Sequence, residues 1–481
     1  MMVFSSITFV VFFSIVLIFL LALESRFSVE KFGDATVQNI KHWFLLICSY
    51  VFYGWWDWRF CFLMFALTFV AYFSSAQIAA QNHVKAYRFI GIVVPLIILG
   101  IFKYFNFFVL GFASMFGIDN ISGLNIILPV GISFYTFQSM SYTIDVIRGH
   151  IKSHSFMNVA LYISFFPQLV AGPIVKASDF IPQLKENRRI TKSGLNAGIQ
   201  IFIFGLFKKI VLADHLSVFV DDVFAYPEIF SSFSIILGVI SYSLQIYFDF
   251  SGYSDMAIGI AKCIGYDFNK NFNMPYISRN VSEFWKRWHI SLSTWLQEYL
   301  YIPLGGNRRG KIRTYANLLI TMLLGGLWHG ANITFVVWGF LHGVALCIHK
   351  LFKKYHTKSN RSSALATVLS VLITYSFVCI CWVFFRAANI ADAIMILKKL
   401  FVWESGVIQV FSWSVIAIVV VLISHFISIY KSNKNNCLSV NGFYCVLDLN
   451  KFWSLVVFFV SIGILLGTAF TDSNPFIYFQ F

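Results

Sequence analysis

Long apolar runs, separated by short clusters of basic residues, set the pattern of this chain. A bilayer core requires ~20 apolar helical residues, and many of the runs approach that length. We predict spans at 3–23, 42–56, 60–80, 89–110, 126–147, 157–173, 196–212, 231–248, 313–328, 332–349, 364–385, 411–430 and 453–470. Three of them, 42–56, 157–173 and 313–328, are short, since about 15 residues rise only ~22 Å as a helix. We expect these three to end inside the membrane or to pack at an angle.

The composition agrees with a protein whose solvent is largely lipid. Hydrophobic residues make up 58% of the 481 positions and charged residues only 12%. This is more apolar surface than a soluble core of this length could bury. The fold class predicted is therefore all-α, a polytopic membrane protein. We find no internal repeat or low-complexity linker, so residues 1–481 are expected to form a single membrane-embedded domain, with a motif-bearing core at about 245–350.

The net charge of +15 comes from basic clusters that lie between the apolar runs. In a soluble protein such a charge would suggest nucleic acid, but here a positive-inside bias explains it more simply. The loops expected on the cytoplasmic side carry Lys85 and Arg88, Lys176 to Lys192, Arg308 to Arg313, Lys350 to Arg361, and Lys431 and Lys434. The eight cysteines have no paired spacing, so we expect neither a disulfide framework nor a metal site.

One stretch, from Asp249 to Gly310, is too charged to face lipid, and we expect it to face protein, water or headgroups. Within it, Asn280 followed by Glu283 is typical of a capping box that starts a helix. Apolar residues then follow helical spacing as far as Tyr299. We predict an amphipathic helix at the cytoplasmic face, ended by the Pro-Leu-Gly-Gly sequence after Ile302.

Segment 313–354 is basic at both ends and interrupted by glycines in the middle, around His329. Both ends should be cytoplasmic, so two arms of 16 to 18 residues would meet at a turn inside the membrane. Non-helical backbone at that depth is tolerated only in protein or along a watery cavity. A neutral imidazole there could accept a proton from a hydroxyl or thiol, which is general-base chemistry. It could equally serve only to join two helices by hydrogen bonds.

Other candidate residues allow two interpretations each. His289 could be an ordinary interfacial residue, and it gains interest only if it approaches His329. For His342 a structural role is favoured. Arg308, Arg309 and Lys311 follow two glycines and could hold the phosphates of an anionic donor such as coenzyme A, or simply anchor the loop at the membrane surface. The local signatures of triad hydrolases, P-loop NTPases and zinc proteases do not occur.

Four motifs carry a resemblance to a known family: residues 245–257 (QIYFDFSGYSDMA), 283–293 (EFWKRWHISLS), 301–308 (YIPLGGNR) and 326–332 (GLWHGAN). With weaker matches, the likeness extends over roughly residues 4 to 350. The chain resembles the membrane-bound O-acyltransferases (MBOAT), and within them the bacterial alginate and polysaccharide O-acetylation (AlgI-like) branch. The D-alanyl transfer proteins of teichoic acid modification share the Arg-Trp-His and Trp-His-Gly elements, but the motif at 301–308 favours the acetylation branch.

The resemblance implies a ring of helices around a central tunnel in the inner, or cytoplasmic, membrane. His329 would be the catalytic histidine and His289 the second polar residue of the site. Acetyl-CoA would be the donor, without a metal, and an extracytoplasmic polysaccharide the acceptor, reached directly or through a partner acetyltransferase. Residues expected to line the tunnel or contact substrate are Trp328, Asn332, Trp288, Arg287 and Asn280. Asn332 or an indole N–H would stabilise the oxyanion.

Three other readings of the sequence stay open at this point. The first is D-alanyl or another acyl transfer to a cell-envelope polymer. The second is a membrane transporter or channel, since buried charges and broken helices also mark substrate pathways. The third is an inactive scaffold for an acetylation complex.

Overall fold

Helices make up most of the chain that the structure describes. The computed structural model describes residues 2–25, 30, 33–118, 123–170, 172–186, 188–355, 363–432, 439–440, 444–445 and 447–468. The helices are α1 Ile7–Leu23, α2 Asp34–Asp57, α3 Arg59–Ala79, α4 Val84–Leu99, α5 Phe105–Met115, α6 Ile132–Ile147, α7 Phe156–Ser164, α8 Phe166–Leu169, α9 Ala177–Lys185, α10 Lys192–Phe207, α11 Asp214–Ala225, α12 Ser232–Cys263, α13 Val281–Trp285, α14 Ile290–Leu296, α15 Lys311–His329, α16 Ile333–Tyr355, α17 Ala364–Arg386, α18 Ile390–Phe401, α19 Ser412–Ser432 and α20 Phe452–Thr468. Ser439–Val440 and Tyr444–Cys445 form a short antiparallel pair, β1 and β2.

Several helices continue through π-helical turns or begin at side-chain caps. The π-helical turns are Gly100–Tyr104, Lys208–Ala213 and Gln297–Tyr301. At the start of α17, the hydroxyl of Ser363 accepts a hydrogen bond from the N–H of Ala366 at 3.1 Å. Such caps satisfy backbone donors that the first turn of a helix leaves unpaired.

Six segments of the described chain are long and apolar enough to cross a membrane, which confirms the predicted all-α, multi-pass architecture. They are Arg59–Ala79, Val84–Ala113, Lys192–Ala225, Ser232–Cys263, Ile333–Lys353 and Ala364–Arg386. Three shorter apolar helices lie at Ile7–Leu23, Ser412–Ile423 and Phe452–Thr468. The predicted span at 157–173 is instead broken at Phe165 into α7 and α8, because Phe165 is extended, with ψ of 111°. The predicted orientation of the loops stays a prediction.

The described residues fall into two compact units. The first comprises residues 1–202 and 254–269, and the second comprises 203–253 and 270–481. In the first unit, Lys41 is fully buried and its ammonium contacts Glu24 at 2.6 Å and the carbonyl of Ile264 at 3.3 Å. Burial is tolerable for such a charge because a carboxylate and carbonyl groups replace its water. That both units serve one membrane-embedded domain stays a prediction.

The second unit contains residues 249–253 and 270–310 of the charged stretch that the sequence places away from lipid. Asp249 is only 2% exposed, and its carboxylate lies 2.7 Å from the ammonium of Lys209. Asp214 contacts the same ammonium at 2.7 Å. Asp249 of α12 is thus paired inside the protein, where an unpaired charge would be costly. The expectation that Asp249 faces protein is confirmed.

The predicted amphipathic helix from Asn280 to Tyr299 is wrong as a continuous element. Its cap is correct: the side chain of Asn280 accepts a hydrogen bond from the N–H of Glu283 at 2.9 Å. The helix nevertheless ends at Trp285 and restarts at Ile290, because His289 adopts a left-handed backbone with φ of 42° and ψ of 56°. A backbone donor that the break leaves without a helical partner is satisfied by Asn271. The backbone carbonyl of Asn271 accepts a hydrogen bond from the N–H of Ile290 at 2.8 Å. The residues that follow Ile302 form a turn, as predicted.

Candidate active site

A hairpin of two closely packed helices, α15 and α16, presents His329 at its turn. His329 is the last residue of α15, and the break at 330–332 confirms the predicted interruption. A Cβ on Gly326 would clash with the carbonyl oxygen of Phe335, and one on Gly339 would clash with that of Met322. Only glycine allows the backbones to approach this closely. The arms are longer than predicted, with 19 and 23 residues.

His329 lies among aromatic rings. It is 3% exposed, and its ring centroid is 5.0 Å from that of Trp328, 5.0 Å from that of Trp338 and 5.1 Å from that of Phe385. The three contacts are edge-on, an arrangement that aromatic quadrupoles favour. Packing against rigid rings fixes the plane of the imidazole.

His289 is fully buried and is held by polar groups. Its Nδ1 lies 3.2 Å from Oδ1 of Asn271, which also accepts a hydrogen bond from the backbone N–H of Ser291 at 3.1 Å. Since a backbone N–H can only donate, this atom of Asn271 is an acceptor, and Nδ1 of His289 must carry the proton. The lone pair of Nε2 is thereby left available as an acceptor. Among the described residues, no group lies within hydrogen-bonding distance of Nε2.

Burial keeps His289 in its neutral form. It lowers the pKa of His289 to about 3, because the charged imidazolium would lose its hydration there. At neutral pH the side chain is thus a hydrogen-bond acceptor at Nε2 and a donor at Nδ1. A group with so low a pKa is suited to orienting a hydroxyl or thiol rather than to holding its proton.

The indole of Trp328 contacts the rings of both histidines. Its ring centroid is 6.2 Å from that of His289 and 5.0 Å from that of His329. The sequence makes His289 interesting only if it approaches His329, and the structure places both against the same indole. The two histidines and Trp328 therefore form one group, although 40 positions separate the histidines in the sequence.

Three of the predicted tunnel residues flank α13, the short helix that precedes His289: Asn280 caps its start, and Arg287 and Trp288 follow its end. Trp288 is 1% exposed and packs on Trp382, with the ring centroids 4.9 Å apart. Arg287 forms an ion pair with Glu283 at 2.9 Å and donates to the carbonyl of Asn273 at 3.1 Å. These contacts fix the segment that carries His289. That Trp288, Arg287 and Asn280 contact substrate stays a prediction.

Asn332, expected near the oxyanion, has both ends of its amide engaged. Its Oδ1 accepts from the N–H of Thr334 at 3.1 Å, and its Nδ2 donates to the carbonyl of Ala388 at 3.1 Å. The side chain thereby caps the start of α16. The indole N–H of Trp338, in contrast, is buried, and no described group accepts its hydrogen bond. Trp338 is the better placed of the two donors.

Arg308 and Arg309 are exposed on the loop before α15, and Lys311 is exposed as the first residue of that helix. Asn317 of α15 holds this loop by donating to the carbonyl of Gly306 at 3.0 Å. Lys311 and His329 are at opposite ends of α15, so about 27 Å of helix separates them. Binding of donor phosphates by this loop stays a prediction.

A cavity of about 450 Å³ opens beside the far end of α16. It is lined by Asn280, Ser282, Glu283, Lys286, His349, Phe352 and Lys353. Because α15 and α16 are antiparallel, this cavity is at the same end of the hairpin as Arg308, Arg309 and Lys311. The sequence predicts a substrate role for Asn280, and the structure places it at the cavity wall.

His342, for which the sequence favours a structural role, is buried in a cluster of aromatic rings near the site, and its role stays a prediction. His342 is 0% exposed, and its ring centroid lies 4.9 Å from that of Trp338 and 5.2 Å from that of Trp285. The sequence indicates the contact between Trp338 and His342, because these residues are four positions apart and share a helix face. What the sequence did not indicate is that the segment around Trp285 packs on this face.

Comparison with known proteins identifies the family. The match to the membrane-bound O-acyltransferase family (MBOAT) covers residues 133–391. The chain is similar to the probable alginate O-acetylase AlgI of Pseudomonas aeruginosa, with 42% identity over 76% of this chain and 70% of that protein. It is also similar to the peptidoglycan O-acetyltransferase of Helicobacter pylori, with 38% identity over 74% of this chain and 73% of that protein. The teichoic acid D-alanyltransferase of Bacillus subtilis is 30% identical over 53% of this chain and 68% of that protein.

The chain belongs to the membrane-bound O-acyltransferase family. It is an enzyme of the O-acyltransferase class and a multi-pass membrane protein. The resemblance carried by the four sequence motifs is thus confirmed, and the comparisons decide against a transporter as its class. They name no site residues for this chain, so the roles of His329 and His289 stay predictions.

Proposed function

We propose that this protein transfers an acetyl group from cytoplasmic acetyl-CoA towards hydroxyl groups of an extracytoplasmic polysaccharide, with His329 as the catalytic base. Transfer occurs directly or through a partner acetyltransferase, and the protein resides in the cytoplasmic membrane. The single observation that carries the proposal is the group formed by His329, Trp328 and His289. It brings two buried imidazoles to one indole at the break of a helical hairpin.

In the proposed reaction, His329 takes the proton of the acceptor hydroxyl as its oxygen attacks the thioester carbonyl. The carbon–sulfur bond then breaks, and the leaving thiolate takes the proton from His329, so that coenzyme A departs as the free thiol. The indole N–H of Trp338 donates to the oxyanion that forms in between, which is supported by its 5.0 Å ring contact with His329. A relay through acetyl-histidine uses the same residues and is the alternative route.

His289 orients the reacting hydroxyl or thiol in this proposal. Its Nδ1 is committed to Asn271, which directs the acceptor lone pair of Nε2 away from that contact. A neutral acceptor aligns an O–H or S–H without competing with His329 for the proton. The low pKa of His289 that burial causes supports this division of roles.

Acetyl is preferred over D-alanyl as the transferred group. The acetylating relatives are 42% and 38% identical to this chain, while the D-alanyltransferase is 30% identical over a shorter part of it. Their printed names include alginate and peptidoglycan as acceptors, so a cell-envelope polysaccharide is the acceptor class that we propose here.

The test is the O-acetyl content of envelope polysaccharide in cells that carry His329→Ala. We expect O-acetylation to be lost, because a general base contributes about 10²–10⁴-fold to rate. His150→Ala is the matched control, since its side chain is 63% exposed and remote in sequence from the site motifs. The amount of protein in the membrane should be equal for the two variants. Unchanged O-acetyl content in the His329→Ala strain would reject the assignment and favour an inactive scaffold.

A further inference from the structure

Another cavity, of about 550 Å³, lies within the first compact unit, among α2, α7 and α9. Helix α7 packs against both α2 and α9. The cavity wall includes Asp34 and Ala35 of the first turn of α2, and Ser155 and Asn158 at the start of α7. Lys185, the last residue of α9, completes the wall. Two helix starts and the end of a third therefore meet at one cavity.

Both helix starts leave backbone N–H groups without a helical acceptor. Helix α2 follows Gly33, which has no side chain to cap it, and its first internal hydrogen bond is donated by the N–H of Val37. In α7 the hydroxyl of Ser155 accepts from the N–H of Asn158 at 3.4 Å, which leaves the two N–H groups before it without a cap. Uncapped N–H groups and the positive end of a helix dipole favour an anion.

Two side chains in the wall favour the same kind of ligand. Asp34 forms an ion pair with Arg189, whereas Lys185 pairs with no carboxylate among the described residues. His42 also lines the cavity and is 8% exposed, and its Nε2 has no hydrogen-bond partner in the part of the chain that the structure describes. A buried polar atom without a partner is costly, so a ligand that contacts this nitrogen would be favoured. Since Arg189 balances Asp34, the excess charge of the wall is positive.

The position of the cavity along α2 indicates where such an anion would come from. Trp43, Ile47 and Val51 are exposed and lie four residues apart, so they form an apolar stripe along one face of α2. The stripe begins one residue after His42, and its first member is a tryptophan, which favours the headgroup level of a bilayer. Asn39, which lines the cavity, is one helical turn before Trp43. The cavity is therefore next to the point where the lipid-facing surface of α2 begins.

We propose that this cavity binds the phosphate group of a membrane phospholipid, with Lys185 and His42 as its side-chain ligands and the starts of α2 and α7 as backbone donors. A phosphate carries several acceptor oxygens on one compact anion, which matches an ammonium, an imidazole N–H and uncapped backbone N–H groups. The acyl chains of the lipid lie along the stripe of Trp43, Ile47 and Val51. Lipid binding here is independent of which acyl group the enzyme transfers.

The experiment is a lipid titration of the purified full-length protein in detergent, followed by native mass spectrometry. It gives the dissociation constant of the first lipid that binds. Phosphatidylglycerol is the main probe, and diacylglycerol with the same chains lacks only the phosphorylated head. Inorganic phosphate, added as a competitor, supplies the anion without chains. We expect phosphatidylglycerol to bind at least about tenfold more tightly than diacylglycerol, because charge-assisted hydrogen bonds to the phosphate are lost in the latter.

Matched variants separate this cavity from general attraction to a basic surface. Lys185→Ala should weaken phosphatidylglycerol by about tenfold, and His42→Phe by about fivefold for the loss of one hydrogen bond. Lys152→Ala is the control, since Lys152 is exposed, lies near the start of α7 and does not line the cavity. It removes the same charge and should stay within about twofold of wild type. Ala35→Trp should weaken phosphatidylglycerol without a change in charge, because the indole occupies the cavity.

Four results would overturn the inference. Equal losses in Lys185→Ala and Lys152→Ala would show attraction to surface charge alone. Equal affinity for phosphatidylglycerol and diacylglycerol would remove the role of the phosphate. Displacement of the lipid by inorganic phosphate at an equal concentration would assign the cavity to a soluble phosphate. Displacement by acetyl-CoA at such a concentration would assign the cavity to the acyl donor.

Discussion

His329 and His289 are both buried, but different forces hold them. His329 ends a helix and is fixed by the edges of three aromatic rings. His289 sits at a left-handed break between two short helices and is fixed by hydrogen bonds through Asn271. Packing against aromatic rings sets the plane of the His329 imidazole. The hydrogen bond that Nδ1 of His289 donates to Asn271 sets the tautomer of that imidazole. Its second nitrogen, Nε2, is therefore a hydrogen-bond acceptor.

The difference suggests why one site contains two histidines. A base must change its protonation state during the reaction, whereas a group that aligns a substrate should keep one state throughout. The contact with Asn271 and the burial of His289 both favour one unchanging neutral form. Three experiments test this comparison, taken from the largest expected effect to the smallest.

Replacing His289 should separate alignment from proton transfer. We expect His289→Ala to lower the rate of acetyl transfer by about 10²-fold, because the aligned acceptor nitrogen is lost. His289→Gln keeps a polar end in the same region and should retain more activity than His289→Ala. Coenzyme A release by purified protein measures both. If the two variants are equally inactive, alignment by an acceptor atom is not what His289 contributes.

The neutral state of His289 should make the protein less stable in mild acid. The unfolded chain takes up a proton near pH 6.5, while the folded protein does so only near pH 3, so protons favour the unfolded state between these values. Stability is complete above pH 6.5 and should fall by about 1.4 kcal/mol for each pH unit below it, or about 2 kcal/mol at pH 5. The melting temperature between pH 7 and pH 5 should drop less in His289→Gln. Parallel curves for the two proteins would contradict a neutral, buried His289.

Replacing Asn271 should remove the hydrogen bond that fixes the tautomer of His289. Asn271→Leu takes away the acceptor shared by His289 and Ser291, and we expect activity to fall about tenfold, in line with the loss of about 1.4 kcal/mol of alignment. Ser291→Ala removes a single donor to the same atom and is the matched control, with a smaller loss expected. Equal activity of wild type and Asn271→Leu would show that this contact does not organise the site.

The architecture could be predicted largely from the sequence, because lipid imposes a strong length rule on apolar helices. The break at Gly330 was visible for the same reason: glycines and a histidine interrupt two apolar arms that have basic ends. The family followed from four motifs. The sequence alone thus indicates His329 as the catalytic candidate.

The parts that could not be predicted depend on contacts between distant segments. Helical spacing from Asn280 to Tyr299 favours one helix, yet hydrogen bonds to Asn271 break it at His289. Local periodicity carries no information about such a partner. The ring contact between His342 and Trp285 likewise depends on the approach of a distant segment. The arms of the hairpin were also underestimated, because polar residues such as Lys311 continue the helix beyond the apolar run.

The central claim is that His329 is the base for acyl transfer, and the release of coenzyme A from acetyl-CoA by purified protein tests it most directly. Wild-type protein should release coenzyme A in the presence of acceptor. His329→Ala should be slower by about 10² or more while binding acetyl-CoA with an affinity within about threefold of wild type. Release at the wild-type rate by His329→Ala would contradict the account.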